Sequence, residues 1–600
     1  MKTTLKIAKK DNGKIQYLTE VLPEIPTNTI LCKTLTGLGA TYSEIKAKRN
    51  SIILEPNKPV IAGKTKSPVH KNDNLIGVFE GVCTDKIIDY LNKTGEKKKY
   101  IKIITTPESF HKVQAAMDEM EINIATDCFL LFDECHKIVE DIDYREDITL
   151  PMDLFFQCEN KAMVSATPHF FTDERFKCFN TIEIVPDFDY KKDITLHITN
   201  NVLQSMKETI SSFSPDKPVF IFCNSTDNIY AMMKQIGIMD ESTVFCSKKS
   251  VDKLKLAGFK SVSETWEPKE MKRFNWMTSR FYNALDIEID VQPIVVLFTD
   301  SYFTEYTCFD PSTDTIQCVG RFRNGVSEIH HITNTNSHLR MTTREDAMQY
   351  VHESKVVYDT VSRFMRNASN LVSKNVLGDT LKCLPYTKWV NPDLSINSFA
   401  IDNYIENEVV KSNYSNQDLL INAYRTNEHF STIVKEDNYP LGDYERLCRN
   451  NKSMPIKEKR KIIVDQLERL TEDKTGLCYI LESDIRAADS FIVDAYYLIG
   501  KEEIERLKYN RKKITEAMII AKYNEKIRGT EMFKLVNNIF QEGKWYEVAF
   551  IKKELSRLYK LLGIEPLQAV TSHTINDFFL ADYQRKKIGR GYYLIKRLSA

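Results

Sequence analysis

FLLFDECHK, residues 129–137, decides how the rest of the chain is read. Its apolar run breaks off abruptly at Asp133-Glu134. Such a run marks a strand buried on both faces of a parallel sheet, and its carboxyl end delivers two acids to the sheet edge. Paired carboxylates in that position need a cation. In a nucleotide hydrolase the first acid holds Mg²⁺, directly or through water, and the second polarises the attacking water. A strand followed by a solvated acidic turn would read the same from this stretch alone, so the surrounding chain has to decide.

Upstream, TILCK (29–33) reads as a strand running into Thr34-Leu35-Thr36-Gly37-Leu38-Gly39-Ala40-Thr41 and then a helix. Strand, glycine loop and helix is the layout of a phosphate-binding loop, because glycines let backbone N–H groups approach phosphate oxygens. Gly37, Leu38, Gly39, Ala40 and Thr41 are the expected nucleotide-binding residues, with the Thr41 hydroxyl and Asp133 as metal ligands. Loops of this kind carry a Lys just before the Thr, where its ammonium meets the β- and γ-phosphates. Here that position is Ala40. Lys33 stands off the spacing of known displaced-lysine loops and is not expected to substitute. A βα turn that binds nothing is the competing reading.

Downstream, a strand at 161–165 leads into Ser165-Ala166-Thr167-Pro168, and Gln317-Cys318-Val319-Gly320-Arg321-Phe322-Arg323 follows later. In this order DECH, SATP and QCVGRFR resemble motifs II, III and VI of superfamily 2 helicases, DECH being a variant of the DEAD/DEAH box. The resemblance covers about residues 25–335 and extends to helicases of phages and mobile elements. It implies two RecA-like parallel-sheet domains in tandem, ATP and Mg²⁺ as cofactors, DNA or RNA as partner, and replication proteins as further partners. It also implies roles: Glu134 orients water, while Gln317, Arg321 and Arg323 close the site from the second domain. Ser165, Thr167, Thr278 and Asp286 would couple nucleotide state to domain movement. Thr105, Thr106, Asn224 and Ser225 would touch the nucleic-acid backbone, as hydroxyl and amide groups can without reading sequence.

Three positions depart from the family pattern: Ala40 replaces the loop lysine, Ala284 replaces the usual glycine of motif V, and Arg323 comes one residue early, with Asn324 at the commoner arginine position. The expected function is an ATP-dependent helicase or translocase in replication of a phage or mobile element. The alternative is a hydrolysis-deficient, helicase-fold scaffold or loader that binds nucleic acid.

Lys plus Arg equals Asp plus Glu at 83 each, so no global positive field announces nucleic acid and any binding surface must be local. A chain of 600 residues exceeds what one core organises, and boundaries are expected at 1–200, 201–335 and 336–600. Thirteen scattered cysteines without a CxxC pair indicate reduced thiols rather than a disulfide frame or zinc site. No apolar segment has signal-peptide or membrane-spanning length, so a cytoplasmic protein without a membrane partner is expected, in the host cytoplasm if phage-encoded. In the second domain PVFIFC (218–223) and TVFCS (243–247) continue the strand series. From about residue 340 apolar residues recur at helical spacing, giving a mostly helical C-terminal region. Its basic tail places Arg585, Lys586, Lys587 and Arg590 beside Tyr592 and Tyr593. That mixture suits nucleic-acid contact, or simply a solvated tail.

Overall fold

Along FLLFD, Leu130 and Phe132 face one hydrophobic core while Phe129 and Leu131 face another. The run is apolar without alternation because both faces of its sheet are covered. The computed structural model of the chain describes residues 2–283, 286–439, 442–443, 454–472, 485–486, 488–528, 530–564, 566, 569–586 and 589–598. They form two compact units, Met1–Tyr439 and Pro440–Ala600.

Among the described residues of the first unit, one eight-stranded sheet comprises β1 (Lys2–Ile7), β2 (Thr29–Cys32), β3 (Ser51–Leu54), β4 (Leu75–Val78), β5 (Lys102–Thr105), β6 (Phe129–Asp133), β7 (Asn160–Ser165) and β8 (Asn180–Pro186). Its order is β1-β8-β2-β7-β6-β3-β5-β4, parallel throughout. A second eight-stranded parallel sheet comprises β9 (Lys192–Thr199), β10 (Val219–Phe222), β11 (Ser242–Phe245), β12 (Val262–Ser263), β13 (Phe274–Met277), β14 (Ile294–Thr299), β15 (Glu328–Thr333) and β16 (Phe430–Asp437). The order here is β12-β11-β13-β10-β14-β15-β9-β16. The unit thus holds two RecA-like parallel-sheet domains in tandem.

Three strands fall where the sequence reading did not put them. β9 pairs with β15, so the second sheet opens at Lys192, before the expected boundary at 201. β16 lies inside the stretch expected to be helical (336–600) and forms the second sheet's outer strand. β1, KTTLKI, was not expected as a strand at all; it lies at the edge of the first sheet, mostly exposed. Edge strands keep one flank in water and need little apolar content, so periodicity reads them poorly.

Between β15 and β16 the chain inserts helices Arg344–Asn367, Leu371–Cys383, Ser398–Asn413 and Gln417–Arg425. The first is started by a capping box, Thr343 Oγ1 accepting from Asp346 N at 3.1 Å and the Asp346 carboxylate accepting from Thr343 N at 3.0 Å. The insertion is built into both domains. Phe399, Ala400, Ile401 and Ile405 join the first-domain core, whereas Tyr414, Leu420 and Tyr424 join the second. Asn403 donates to Val139 O at 2.7 Å, and just past the end of the same helix the Tyr414 hydroxyl donates to Phe309 O at 2.8 Å.

In the second unit, helices Ile456–Glu472, Ser490–Arg506 and Arg511–Arg528 pack around Ile463, Leu467, Ile492, Ile504 and Ile514. Helices Thr530–Ile539 and Val548–Leu561 share another core with an antiparallel sheet of β17 (Trp545–Glu547), β18 (Phe579–Lys586) and β19 (Gly589–Arg597). The C-terminal region is therefore mainly helical, and its basic tail is the β18–β19 hairpin. Among the described residues no helix is long and apolar enough to cross a membrane.

Ile405 is 1% exposed within the first-domain core, so Ile405→Ala should cost about 2–5 kcal/mol. Val356, 53% exposed on the same insertion, should tolerate Val356→Ala within about 0.5 kcal/mol. Denaturant unfolding of the two variants checks this, and equal midpoints would contradict the bridging role given to the insertion.

Candidate active site

The loop after β2 curls because three of its residues adopt left-handed backbone, Thr34 (φ 57°), Gly37 (φ 79°) and Gly39 (φ 84°). Leu38 is buried in the first-domain core and its carbonyl accepts from Leu18 N at 3.0 Å, so this residue anchors the loop. Ala40 opens helix Ala40–Lys46 and is buried in the same core. At the next residue the Thr41 hydroxyl donates to Asp133 Oδ2.

Asp133 ends β6, and its Oδ1 accepts from Glu134 N at 3.0 Å. Glu134 itself takes φ 47°, uncommon for a residue with a Cβ. Its carboxylate meets Lys33, whose Nζ lies 3.2 Å from Glu134 Oε1 and 3.6 Å from Asp133 Oδ1. Burial opposes both charges, but their attraction prevails. Lys33 is raised above the ordinary lysine value by Glu134 and Asp133, and Glu134 is held at about 2 by Lys33, His136 and Arg321. Glu134 Oε2 remains buried without a hydrogen-bond partner. The nearby His136 Nδ1 is engaged with Ser165 Oγ at 2.7 Å.

Ser165 Oγ also accepts from Thr167 N at 3.0 Å, which fixes the SATP turn. Thr167 Oγ1 then accepts from Gln317 Nε2 at 3.0 Å, joining the two domains. Gln317 Oε1 in turn accepts from Arg321 Nη2 at 3.0 Å, and Arg321 Nη1 donates to Asn283 O at 2.8 Å. Thr36 Oγ1 reaches across to Gly320 O at 3.1 Å. A Cβ on Gly320 would overlap the Thr36 side chain, so close approach requires that glycine, while Gly37, on which the Arg323 guanidinium lies, is required by its left-handed backbone. Arg323 donates to Gly320 O at 3.1 Å and pairs with Asp286. Loop, acids, SATP turn and arginines therefore meet in one interdomain cleft.

Other expected residues lie elsewhere. Thr278 lines a groove of about 550 Å³ together with Asn224, Ser225, Asn57, Lys58 and Arg145, drawn from both domains. Ser225 Oγ caps its helix by accepting from Asn228 N, and Asn224 Nδ2 donates to Tyr306 O at 3.3 Å. Thr105 is fully buried with its hydroxyl on Thr106 O, and Thr106 is buried too, so neither lines the groove. In the second unit Arg585 faces Arg590 across the hairpin, and Lys586 Nζ lies 5.4 Å above the Trp545 ring. Lys587 and Ala284 lie outside the described residues.

Sequence reasoning discounted Lys33 and gave no role to Glu55, Arg145 or Asn283. Glu55 follows β3, and burial beside Asp133 and Glu134 lifts it to about 8. The signal was available: another acid directly after a buried parallel strand.

No group of three His, Cys, Asp or Glu among the described residues is arranged to hold a metal alone. Thr41 and Asp133 nevertheless fit Mg²⁺, which takes one or two protein oxygens and completes its shell with water and phosphate. The unpartnered Glu134 Oε2 beside them fits a water molecule.

No family model and no curated protein matches the sequence. Among solved structures, S. cerevisiae Dbp5 bound to RNA and ADP BeF3 is 15% identical, with 52% of this chain and 79% of that one covered and a TM-score of 0.33. A DEAD box protein from the hyperthermophile Methanococcus jannaschii is 12% identical, with 52% and 86% covered and a TM-score of 0.26. The ATP-dependent type ISP restriction-modification enzyme LlaBIII bound to DNA is 9% identical, with 90% and 39% covered and a TM-score of 0.38. At these scores the overlaps carry no functional weight. The chain's own sheets and cleft define its class, a tandem RecA-like protein.

Glu55 offers a test of the acid cluster. Between its ordinary value of 4.5 and about 8, folded protein keeps a proton that the unfolded chain has released. Stability contributed by this group therefore falls as pH rises through that window. Glu55→Gln should melt progressively higher than the parent as pH is raised across it, with the difference levelling off above. Parallel melting curves would show that Glu55 is not perturbed by its neighbours.

Proposed function

We propose that the chain is an ATP-dependent nucleic-acid helicase or translocase that serves replication of a phage or mobile element, in the host cytoplasm if phage-encoded. The observation that carries this reading is the meeting of Arg321 and Arg323 of the second domain with the Gly37–Thr41 loop and Asp133-Glu134 of the first. Thr41 and Asp133 would hold Mg²⁺, which neutralises phosphate charge when bound. The ionised Glu134 would offer to an attacking water its Oε2, which has no hydrogen bond and lies 3.5 Å from His136 Nδ1. Arg321 and Arg323 supply the guanidinium groups that phosphoryl transfer needs from across a cleft. The Thr167–Gln317 bond gives the two domains a contact that nucleotide occupancy can make or break. The groove with Lys58, Arg145, Asn224 and Thr278 suits a sugar-phosphate backbone, offering cations, amides and hydroxyls. Replication proteins are the further partners this reading implies.

A second reading, the hydrolysis-deficient scaffold or loader, draws on Ala40 and on the ion pair that engages Glu134 through Lys33. An ATPase assay with and without single-stranded DNA or RNA separates the two. Stimulated turnover that Glu134→Gln abolishes, with nucleotide binding retained, is the result expected of the enzyme. Nucleic-acid binding without turnover in the parent would establish the scaffold instead.

The β18–β19 hairpin adds a separate expectation. If Arg585 and Arg590 each neutralise one phosphate, the double alanine variant should lower the salt slope of nucleic-acid affinity by about 1.4–1.8. An unchanged slope would mark the hairpin as a solvated tail.

A further inference from the structure

Lys33 is the first residue after β2, and its backbone N–H donates to Ser165 O at 2.8 Å, so it stands between the phosphate loop and the SATP turn. Its side chain is 5% exposed and runs to Glu134 and Asp133. The arginines facing this cleft are committed differently. Arg321 spends its Nε and both terminal nitrogens on Gln317 and Asn283, and Arg323 is tied to Gly320 and Asp286. Lys33 has three ammonium protons and is held by the two acids that the proposed function assigns to Mg²⁺ and water. Ala40, where the usual lysine would be, is instead buried against Leu38, Ile45 and Ile53.

We propose that Lys33 supplies the phosphate-facing ammonium that the loop lacks at Ala40, gripping the terminal phosphates of a nucleoside triphosphate from the strand side of the loop. The inference rests on the nucleotide-binding reading above. Without nucleotide, the ammonium neutralises two carboxylates that would otherwise repel one another in a buried place. With Mg²⁺ held by Asp133 and Thr41 that role would lapse, because the divalent cation would neutralise the acids in its place and repel the ammonium. A small swing of a flexible four-carbon stem then brings Nζ from the carboxylates to the phosphate oxygens they flank. The same residue balances charge in both states, and the loop can dispense with a lysine of its own.

The test is nucleotide affinity in the full chain, read by fluorescence of mant-ATP and mant-AMP with Mg²⁺ and independent of turnover. Lys33→Ala should weaken mant-ATP about tenfold or more, the value of one charge-assisted contact, and leave mant-AMP unchanged. Because Lys33→Ala strands two buried acids, the comparison is repeated in a Glu134→Gln background, where less charge is left uncompensated. There Lys33→Ala should again cost mant-ATP selectively. Equal effects on mant-ATP and mant-AMP, or no effect on either, would make Lys33 only a counter-ion and overturn the inference while leaving nucleotide binding intact. If the parent binds neither probe, the nucleotide-binding reading fails and the inference falls with it.

Discussion

Carboxylates at the end of a strand with no water on either face must be neutralised, and the cleft is arranged around that requirement. Asp133 and Glu134 are placed there by β6, between β3 and β7, with Asp133 buried and the Glu134 side chain 14% exposed. Lys33 answers from the end of β2, and Arg321 adds its field from the second domain. Glu55, a third acid in the same place, is pushed up to about 8 by its burial and by the charges of Asp133 and Glu134. An acidic site of this kind, balanced by movable cations, is suited to receive a metal bound to phosphate: the incoming charges replace the protein's own and need not be accommodated afresh.

The helical insertion sets how that cleft can move. Helix Ser398–Asn413 contributes Phe399, Ile401 and Ile405 to the first-domain core, and Tyr414 directly after it is sealed into the second. Opening the domains as free rigid bodies would tear apolar surface from one core or the other. Movement is more cheaply made as a pivot about the insertion, with the contacts Thr167 to Gln317 and Thr36 to Gly320 as those that part. These are single hydrogen bonds between polar side chains or backbone, and water can replace each of them at little cost.

Much of this could be read from the sequence, for identifiable reasons. Buried parallel strands such as SIIL, FLLFD and VFIF show as apolar runs, and the tandem RecA-like architecture follows from them. The cleft was legible because the residues that converge on it come from short strings at strand and helix ends. What escaped was set by tertiary context. β1 and β16 are outer strands whose polar residues disguise them. Thr105 looked available for a phosphate contact, but the chain turns its hydroxyl inward onto the Thr106 carbonyl. Lys33 is hidden by its spacing along the chain: it stands at the end of β2, and the order of the parallel strands brings it within reach of the acids at the end of β6, two strands away across β7.

The departures from the helicase pattern look different once charge is followed through space. The missing lysine at Ala40 leaves an apolar position that strengthens the core under the loop. Arg323, one residue early, lies on Gly37 and is locked by Asp286, so its displacement is matched by a partner from the other motif of the same domain. Ala40 and Arg323 each have neighbours that accommodate them, and both acids remain in place. That arrangement keeps the two acids and the loop of the proposed site together despite the two departures.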